Sequence, residues 1–512
     1  AATQHVALAG DAITITANQE QLTGERSEQI AVFRGIPFAQ PPIGSLRWQA
    51  PRPAIPRAGT QLATEFAAAC MQGAHIIDWY RDIARAFGQP PEVIKPPKVS
   101  EDCLYLNIWA PALDEPSSVE KNLPVMVWIH GGSNKGGWSY EPNYIGKQLA
   151  QQNVVVVSIA YRLGVFGFFA HPQLNKQQTV SVNFGLLDQF AALQWVQKNI
   201  AKFGGDPSNV TVFGESAGAA DIAYLMTSPL GEGLFQRAIH QSAGFQLVRQ
   251  AKREHVESLG LQLAKHLSVA NDKEALDRLR AAPADKLLAA AAVVYKGHYY
   301  DPVIDNRVLT EAAFDSYSNN HQFPIDLMIG TNTHEWYMYI DENADEQAIG
   351  KFISQQPQAQ QTALRNLIKS EKDLRYALDR LTTGKEMLCP SLFMARQFAS
   401  KNDNTWYYFF SKQRGDPGGE KLKAYHGAEI AYVFDTHDEW LPTRQDDRRL
   451  TNLMVQYWSN FAKSGNPNAK GLPPWPRYTD NKVIELGKKV GAIGIPEQAL
   501  CELFDETLGE SY

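Results

Sequence analysis

The sequence predicts an α/β fold in which a central, mostly parallel sheet is flanked by helices. Three observations predict it. Short β-branched or aromatic runs recur between turn residues, they are nearly all apolar rather than alternating, and helix-period segments separate some of them. A strand covered on both faces has no polar side, so continuous apolar runs suit a sheet buried between helices. Strands alternating with helices then imply crossover connections and a parallel sheet.

Taken in order, residues 125–129, 154–159 and 210–213 read as the first buried strands. Between the last two, Leu186, Phe190, Leu193, Val196 and Ile200 step by three or four, predicting a helix over 183–203. Gly204 and Gly205 end it as a C-terminal cap does. A short helix is predicted over 217–226, and strands again at 325–329 and 406–410. From about 245 to 400 the pattern is helix-rich, with charged segments at 272–280 and 363–381. These read as helical insertions on the sheet rather than as a second domain, so residues 1–512 are expected to form a single domain. Residues 414–419 (Arg-Gly-Asp-Pro-Gly-Gly) read as a loop.

Composition narrows the function classes. The chain has 512 residues, 44% hydrophobic and 20% charged, which is enough apolar material for a large core. A net charge of −6 without any basic tract argues against nucleic acid as a partner. The apolar stretches are short, 287–294 among the longest, whereas a membrane-spanning helix needs about 20 residues. The start at Ala1-Ala2-Thr3 fits a mature form from which a signal peptide has been removed. Four cysteines, Cys70, Cys103, Cys389 and Cys501, are an even number without Cys-x-x-Cys spacing. That argues for disulfides in a secreted or periplasmic protein and against a zinc site. No metal or organic cofactor is expected.

The chemistry is announced where residues 210–213 run into Gly214-Glu215-Ser216-Ala217-Gly218. A G-x-S-x-G pentapeptide between a buried strand and a helix is the nucleophile elbow of α/β-hydrolases, with Ser216 as nucleophile. Small residues on either side let the tight turn close, and the helix N-terminus points its N–H groups at developing negative charge. Upstream, Trp128-Ile129-His130-Gly131-Gly132-Ser133 ends another strand in a glycine loop. Its amides and that of the residue after the nucleophile predict an oxyanion hole of Gly132, Ser133 and Ala217.

A serine hydroxyl needs a histidine to accept its proton and an acid to orient that histidine. Chain order in this fold is serine, acid, histidine, which favours the later members of His240, His255, His266, His298, His321, His334, His426 and His437. His426 precedes a Gly-containing turn, and Glu335 follows the strand at 325–329 where open α/β sheets bind ligands. Both are candidates on these grounds, and residue chemistry alone leaves the choice open. His334 reads as a surface residue or an orienting neighbour.

Longer strings resemble the type-B carboxylesterase and cholinesterase family over most of the chain. They include Phe33-Arg34-Gly35-Ile36-Pro37-Phe38-Ala39-Gln40-Pro41-Pro42, Ser100-Glu101-Asp102-Cys103-Leu104-Tyr105-Leu106-Asn107, Tyr161-Arg162-Leu163-Gly164 and Phe203-Gly204-Gly205-Asp206-Pro207. The resemblance implies that Glu335 closes the acid segment and His426 the base segment. It also implies supporting roles for Glu215, beside the nucleophile, and for a buried Ser242 hydrogen-bonded toward the triad. It pairs Cys70 with Cys103 and Cys389 with Cys501.

The chain departs from cholinesterases in the first disulfide loop, whose only tryptophan, Trp79, sits too near Cys70 to match their choline-binding tryptophan. Choline specificity is therefore not expected. His298, Met338 and Tyr339 are candidate substrate contacts. The expected partner is a small-molecule ester, small to medium and uncharged, hydrolysed by a monomer or weak homodimer. Two other readings are weighed: a specialised hydrolase of one bulky ester (an aromatic diester or toxin-like ester), and a catalytically inactive binding or adhesion protein on the same fold. Occupation of all three triad positions argues against the last. The Asn209-Val210-Thr211 sequon leads into a buried strand and is discounted as a glycosylation site.

Overall fold

The computed structural model describes residues 11–111, 122–175, 181–402, 404–415 and 417–509, so the Ala1-Ala2-Thr3 start lies outside the described residues. Its strands are β1 (Asp11–Ala17), β2 (Glu20–Ser27), β3 (Ile30–Pro37), β4 (Thr60–Leu62), β5 (Ala69–Cys70), β6 (Val99–Ser100), β7 (Tyr105–Pro111) and β8 (Leu123–Ile129). They continue as β9 (Val155–Ile159), β10 (Gly205–Glu215), β11 (Arg237–Gln241), β12 (Asp326–Asn332), β13 (Thr405–Phe410), β14 (Lys482–Leu486) and β15 (Val490–Gly494). One large sheet runs β1-β2-β3-β7-β9-β8-β10-β11-β12-β13-β14-β15, with β4 beside β2. From β9 through β14 every neighbour pairs in parallel, and antiparallel pairs occupy the two margins. This is the α/β-hydrolase architecture.

The apolar runs have the cause assigned to them. In β8, Val125, Val127 and Ile129 join one apolar core, while Met126 and Trp128 join another on the opposite face. The neighbouring strand repeats this, with Val155, Val157 and Ile159 on one side and Val156 on the other. Both faces are covered, so no alternation survives in the sequence. The predicted helix at 183–203 is Phe184–Asn199 followed by a tight turn, Ile200–Phe203. Gly204 caps it in the left-handed conformation (φ +80°), while Gly205 already starts β10.

The 245–400 stretch is mostly helical and also contributes β12 to the middle of the parallel sheet. Two of its segments differ from the reading above. Residues 363–381 are two helices, Gln358–Ile368 and Leu374–Thr383, the second opened by the Asp373 side chain accepting from Tyr376 N. At 272–280 the helix begins only at Ala275. The predicted 414–419 loop also shortens, because Pro417 opens a helix (Pro417–Leu422) and Asp416 lies outside the described residues. Asn209 of the sequon sits in β10 with its side-chain oxygen accepting from Arg237.

Disulfides join Cys70 to Cys103 and Cys389 to Cys501, with Cα–Cα distances of 5.0 and 4.9 Å. The first closes a loop carrying the helix His75–Ala86, and the second ties the helix Cys389–Ala399 to Gln498–Asp505. No helix among the described residues is long and apolar enough to cross a membrane.

The register of the parallel strands builds the site. Gly214 lies opposite Ile129 on one side and His240 on the other, and Gln241 lies opposite Gly330. The chain therefore leaves β8, β10, β11 and β12 at one edge, the carboxyl edge where open α/β sheets bind ligands.

Candidate active site

Ser216 stands between β10 and the helix Ala217–Leu225 at φ +55°, ψ −126°, in a region few non-glycine residues occupy. The flanking glycines are required by contact. A Cβ at Gly214 would lie 2.6 Å from the Ile129 carbonyl oxygen, and one at Gly218 only 2.1 Å from the same atom. The Ser216 amide donates to the Gln241 carbonyl (2.9 Å), so the next strand fixes the turn.

The Ser216 hydroxyl lies 2.8 Å from His426 Nε2, and His426 Nδ1 lies 2.7 Å from Glu335 Oε2. With the Nδ1 proton donated to the carboxylate, Nε2 is left to accept from the serine. Glu335 is buried, and its other oxygen accepts from the Asn332 amide at 2.6 Å. The structure thus brings the three expected residues into one hydrogen-bonded chain.

The glycine loop after β8 faces them. Gly132 takes φ +103°, where a Cβ would lie 2.2 Å from the Gly136 carbonyl oxygen, and Ser133 and Asn134 are also left-handed. Asn134 anchors the loop by donating to Asp221 of the nucleophile helix (3.1 Å), and Tyr161 donates to the His130 carbonyl (2.8 Å). Burial lowers the His130 imidazole to about 4, so it is neutral and stacks on Tyr161 with centroids 4.5 Å apart. Among the described residues, the Gly132, Ser133 and Ala217 amides donate to no protein acceptor.

Acidic groups crowd the imidazole. Glu215 Oε1 is 3.2 Å from His426 Nε2. Burial opposes a charged His426, yet the Glu215 charge and the Glu335 hydrogen bond outweigh it and push the imidazole up to about 9. Burial raises the Glu215 carboxyl in turn, and the His426 charge opposes that rise, so the two groups stabilise each other's charged forms. Two buried acids went unassigned in the sequence. Glu429 accepts from Gln241 Nε2 (3.1 Å) and Asn332 Nδ2 (2.7 Å), tying β11 and β12 to the base segment. Glu141 accepts from Tyr80 (2.8 Å) and the Trp138 amide (3.0 Å), joining the first disulfide loop to the segment after the glycine loop, and burial raises it to about 7. Only the position of Glu429, three residues after His426, was a signal; nothing marked Glu141.

Ser242 is buried beneath the site, but its Oγ meets no protein partner, so the expected hydrogen bond toward the triad is not made. Its backbone instead donates to Gly330 (2.8 Å) at φ +49°. His334 is buried against Tyr337 and Tyr376 rather than on the surface.

All of this opens on a cavity of about 900 Å³. Met338 and Tyr339 line it, as expected. His298 does not: it is exposed and lies 3.2 Å from His255, and its neighbour Tyr299 faces the cavity instead. Trp79, set aside on sequence spacing, comes into the site. Its Nε1 donates to the Tyr339 hydroxyl (3.0 Å), and its indole lies over Gly427, next to the base. Among the described residues no cluster of His, Cys, Asp and Glu fits a metal ion.

Comparison with known proteins agrees with the fold. A model of the carboxylesterase family matches residues 11–499. Fumonisin B1 esterase of Sphingopyxis macrogoltabida is 34% identical over 494 residues, covering 92% of this chain and 87% of that protein. Para-nitrobenzyl esterase of Bacillus subtilis (strain 168) is 33% identical over 486 residues, covering 91% and 92%. A solved PNB esterase structure superposes with a TM-score of 0.82 at 30% identity, covering 96% of this chain and 99% of that one.

Proposed function

This chain belongs to the carboxylesterase family and is a carboxylic-ester hydrolase, and from that premise we propose that it works through a serine acyl-enzyme. The observation that carries the mechanism is the hydrogen-bonded chain from Ser216 through His426 to Glu335. His426 takes the Ser216 proton as the oxygen attacks the ester carbonyl carbon. The Gly132, Ser133 and Ala217 amides hold the oxyanion, and Glu335 holds the imidazolium through Nδ1. His426 then protonates the leaving alcohol. Water deprotonated by the same nitrogen attacks the acyl-enzyme and releases the acid and the serine.

The preferred substrates in this reading are small to medium uncharged esters. The size of the cavity favours a second reading, a hydrolase specialised for one bulky ester, because about 900 Å³ exceeds what a short ester fills. The complete triad speaks against an inactive binding protein. β12 pairs with β11 from the first half of the chain and carries β13 and β14 onto the same sheet, which supports one catalytic domain. Two disulfides support a secreted or periplasmic setting.

The test is p-nitrophenyl butyrate hydrolysis by the wild type and by Ser216→Ala. A fall of about 10³ or more in the variant supports the mechanism, and equal turnover in both overturns the nucleophile assignment.

A further inference from the structure

The alcohol of a bound ester must lie within reach of His426 Nε2, which returns the proton to the leaving oxygen. It therefore points to the wall formed by Trp79, whose indole covers Gly427. A second wall of the cavity, apolar and set at the start of the nucleophile helix, is open to the acyl chain. There Phe245 packs with Ala219, Ala220 and Met387 in a small apolar cluster against which Trp336 also rests.

Four residues beyond Phe245 stands Arg249. Its guanidinium carbon is 4.4 Å from the Phe245 ring centroid and 3.8 Å from that of Tyr299. A guanidinium clasped by two ring faces is oriented without engaging its N–H donors. Among the described residues its buried Nε makes no hydrogen bond; the ion pair to Asp301, made through that same Nε, is 3.5 Å long. About a quarter of the side chain (23%) stays accessible, and the residue lines the cavity. Burial raises the carboxyls of both nearby acids, Asp301 and Glu386, while the charge of Arg249 draws each part of the way back. Of the other cations of the cavity wall, Arg85 pairs with Asp82 at 2.6 Å and Arg375 donates to the Ile340 carbonyl at 3.1 Å, while Lys421, 3.5 Å from Glu342, is mostly exposed and stacks on no ring among the described residues.

We infer that Arg249 receives a carboxylate at the far end of the acyl chain, so that the site takes half-esters of dicarboxylic acids beside uncharged esters. The planar fork matches a carboxylate, and a partly buried cation with unused donors gains most from an anionic partner. Hydrolysis itself is unchanged: the ester bond breaks at Ser216 while the second carboxylate stays bound as a handle. This specificity rests on the serine-esterase reading above.

The experiment compares kcat/KM for mono-(4-nitrophenyl) glutarate and 4-nitrophenyl pentanoate. The glutarate-to-pentanoate ratio is expected to fall about tenfold or more in Arg249→Gln and to recover in part in Arg249→Lys. It is expected to rise in Asp301→Asn, which removes the competing acid; a merely structural role moves both variants the same way. An unchanged ratio in Arg249→Gln, or a lower one in Asp301→Asn, overturns the inference. Should the variants fail to fold, the wild type still decides. Glutarate is expected to inhibit pentanoate-ester turnover at about tenfold lower concentration than pentanoate does, and equal inhibition refutes the handle. A wild type that hydrolyses neither ester refutes the esterase reading instead.

Discussion

Glu215 Oε1 lies 3.2 Å from His426 Nε2, the same nitrogen that meets the Ser216 hydroxyl at 2.8 Å. A carboxylate there favours the imidazolium, whereas the proposed attack needs the neutral ring. With His426 held up to about 9, kcat/KM should rise as pH climbs toward that value. Glu215→Gln keeps the shape and removes the charge, so the rising limb should move down by about 1 unit or more. The check is a pH profile with p-nitrophenyl butyrate, corrected for spontaneous hydrolysis. A limb that stays in place or moves up means that Glu215 does not set the base.

Gly132 combines φ +103° with a Cβ direction blocked at 2.2 Å by the Gly136 carbonyl oxygen. Gly132→Ala must displace the loop and misdirect the amides proposed to hold the oxyanion. Turnover should fall about 10²–10³ with KM little changed. A thermal melt of the same variant separates loss of the hole from loss of the fold. Full turnover in a folded variant would remove Gly132 from the hole.

These two predictions concern residues of very different legibility. The elbow and the glycine loop were readable because steric demands on the backbone leave small residues at fixed offsets. The central strands were readable because burial on two faces erases alternation, as in Val125–Ile129. His426 and Glu335 were only candidates until the longer family strings singled them out, since an imidazole in sequence does not disclose what it faces. Glu141 and Arg249 were illegible for the same reason, as only tertiary packing buries a charged group, and Glu429 was marked only by its place after His426. That Trp79 lines the cavity could not be read by counting from Cys70, because the helix His75–Ala86 delivers it there by a route that spacing does not encode.

Trp79 is the wall toward which the proposed leaving alcohol points, held by its 3.0 Å hydrogen bond to Tyr339. Trp79→Ala should open that side and raise the ratio of kcat/KM for 1-naphthyl butyrate over ethyl butyrate roughly tenfold. Trp79→Phe, which keeps most of the bulk and loses only the hydrogen bond, should fall between. Equal ratios in all three proteins would move the alcohol to another wall.

Asp379 concerns stability as well as the site. Its Oδ1 accepts from the Trp336 amide and the Thr383 hydroxyl, both at 3.0 Å, which fixes the turn just after Glu335, while Oδ2 is buried without a partner. Burial raises this carboxyl from 3.8 to about 8. The folded protein therefore keeps a proton that the unfolded chain gives up above about pH 4. The stability tied to that proton is complete below pH 4 and drains away as pH rises toward 8. Asp379→Asn keeps both Oδ1 contacts and carries no charge at any pH. In urea unfolding, the variant should therefore gain on the wild type steadily between pH 5 and 8, with the difference levelling above. A difference that is flat with pH would mean that Asp379 is ionised in the fold, with an unseen cation or water offsetting its burial.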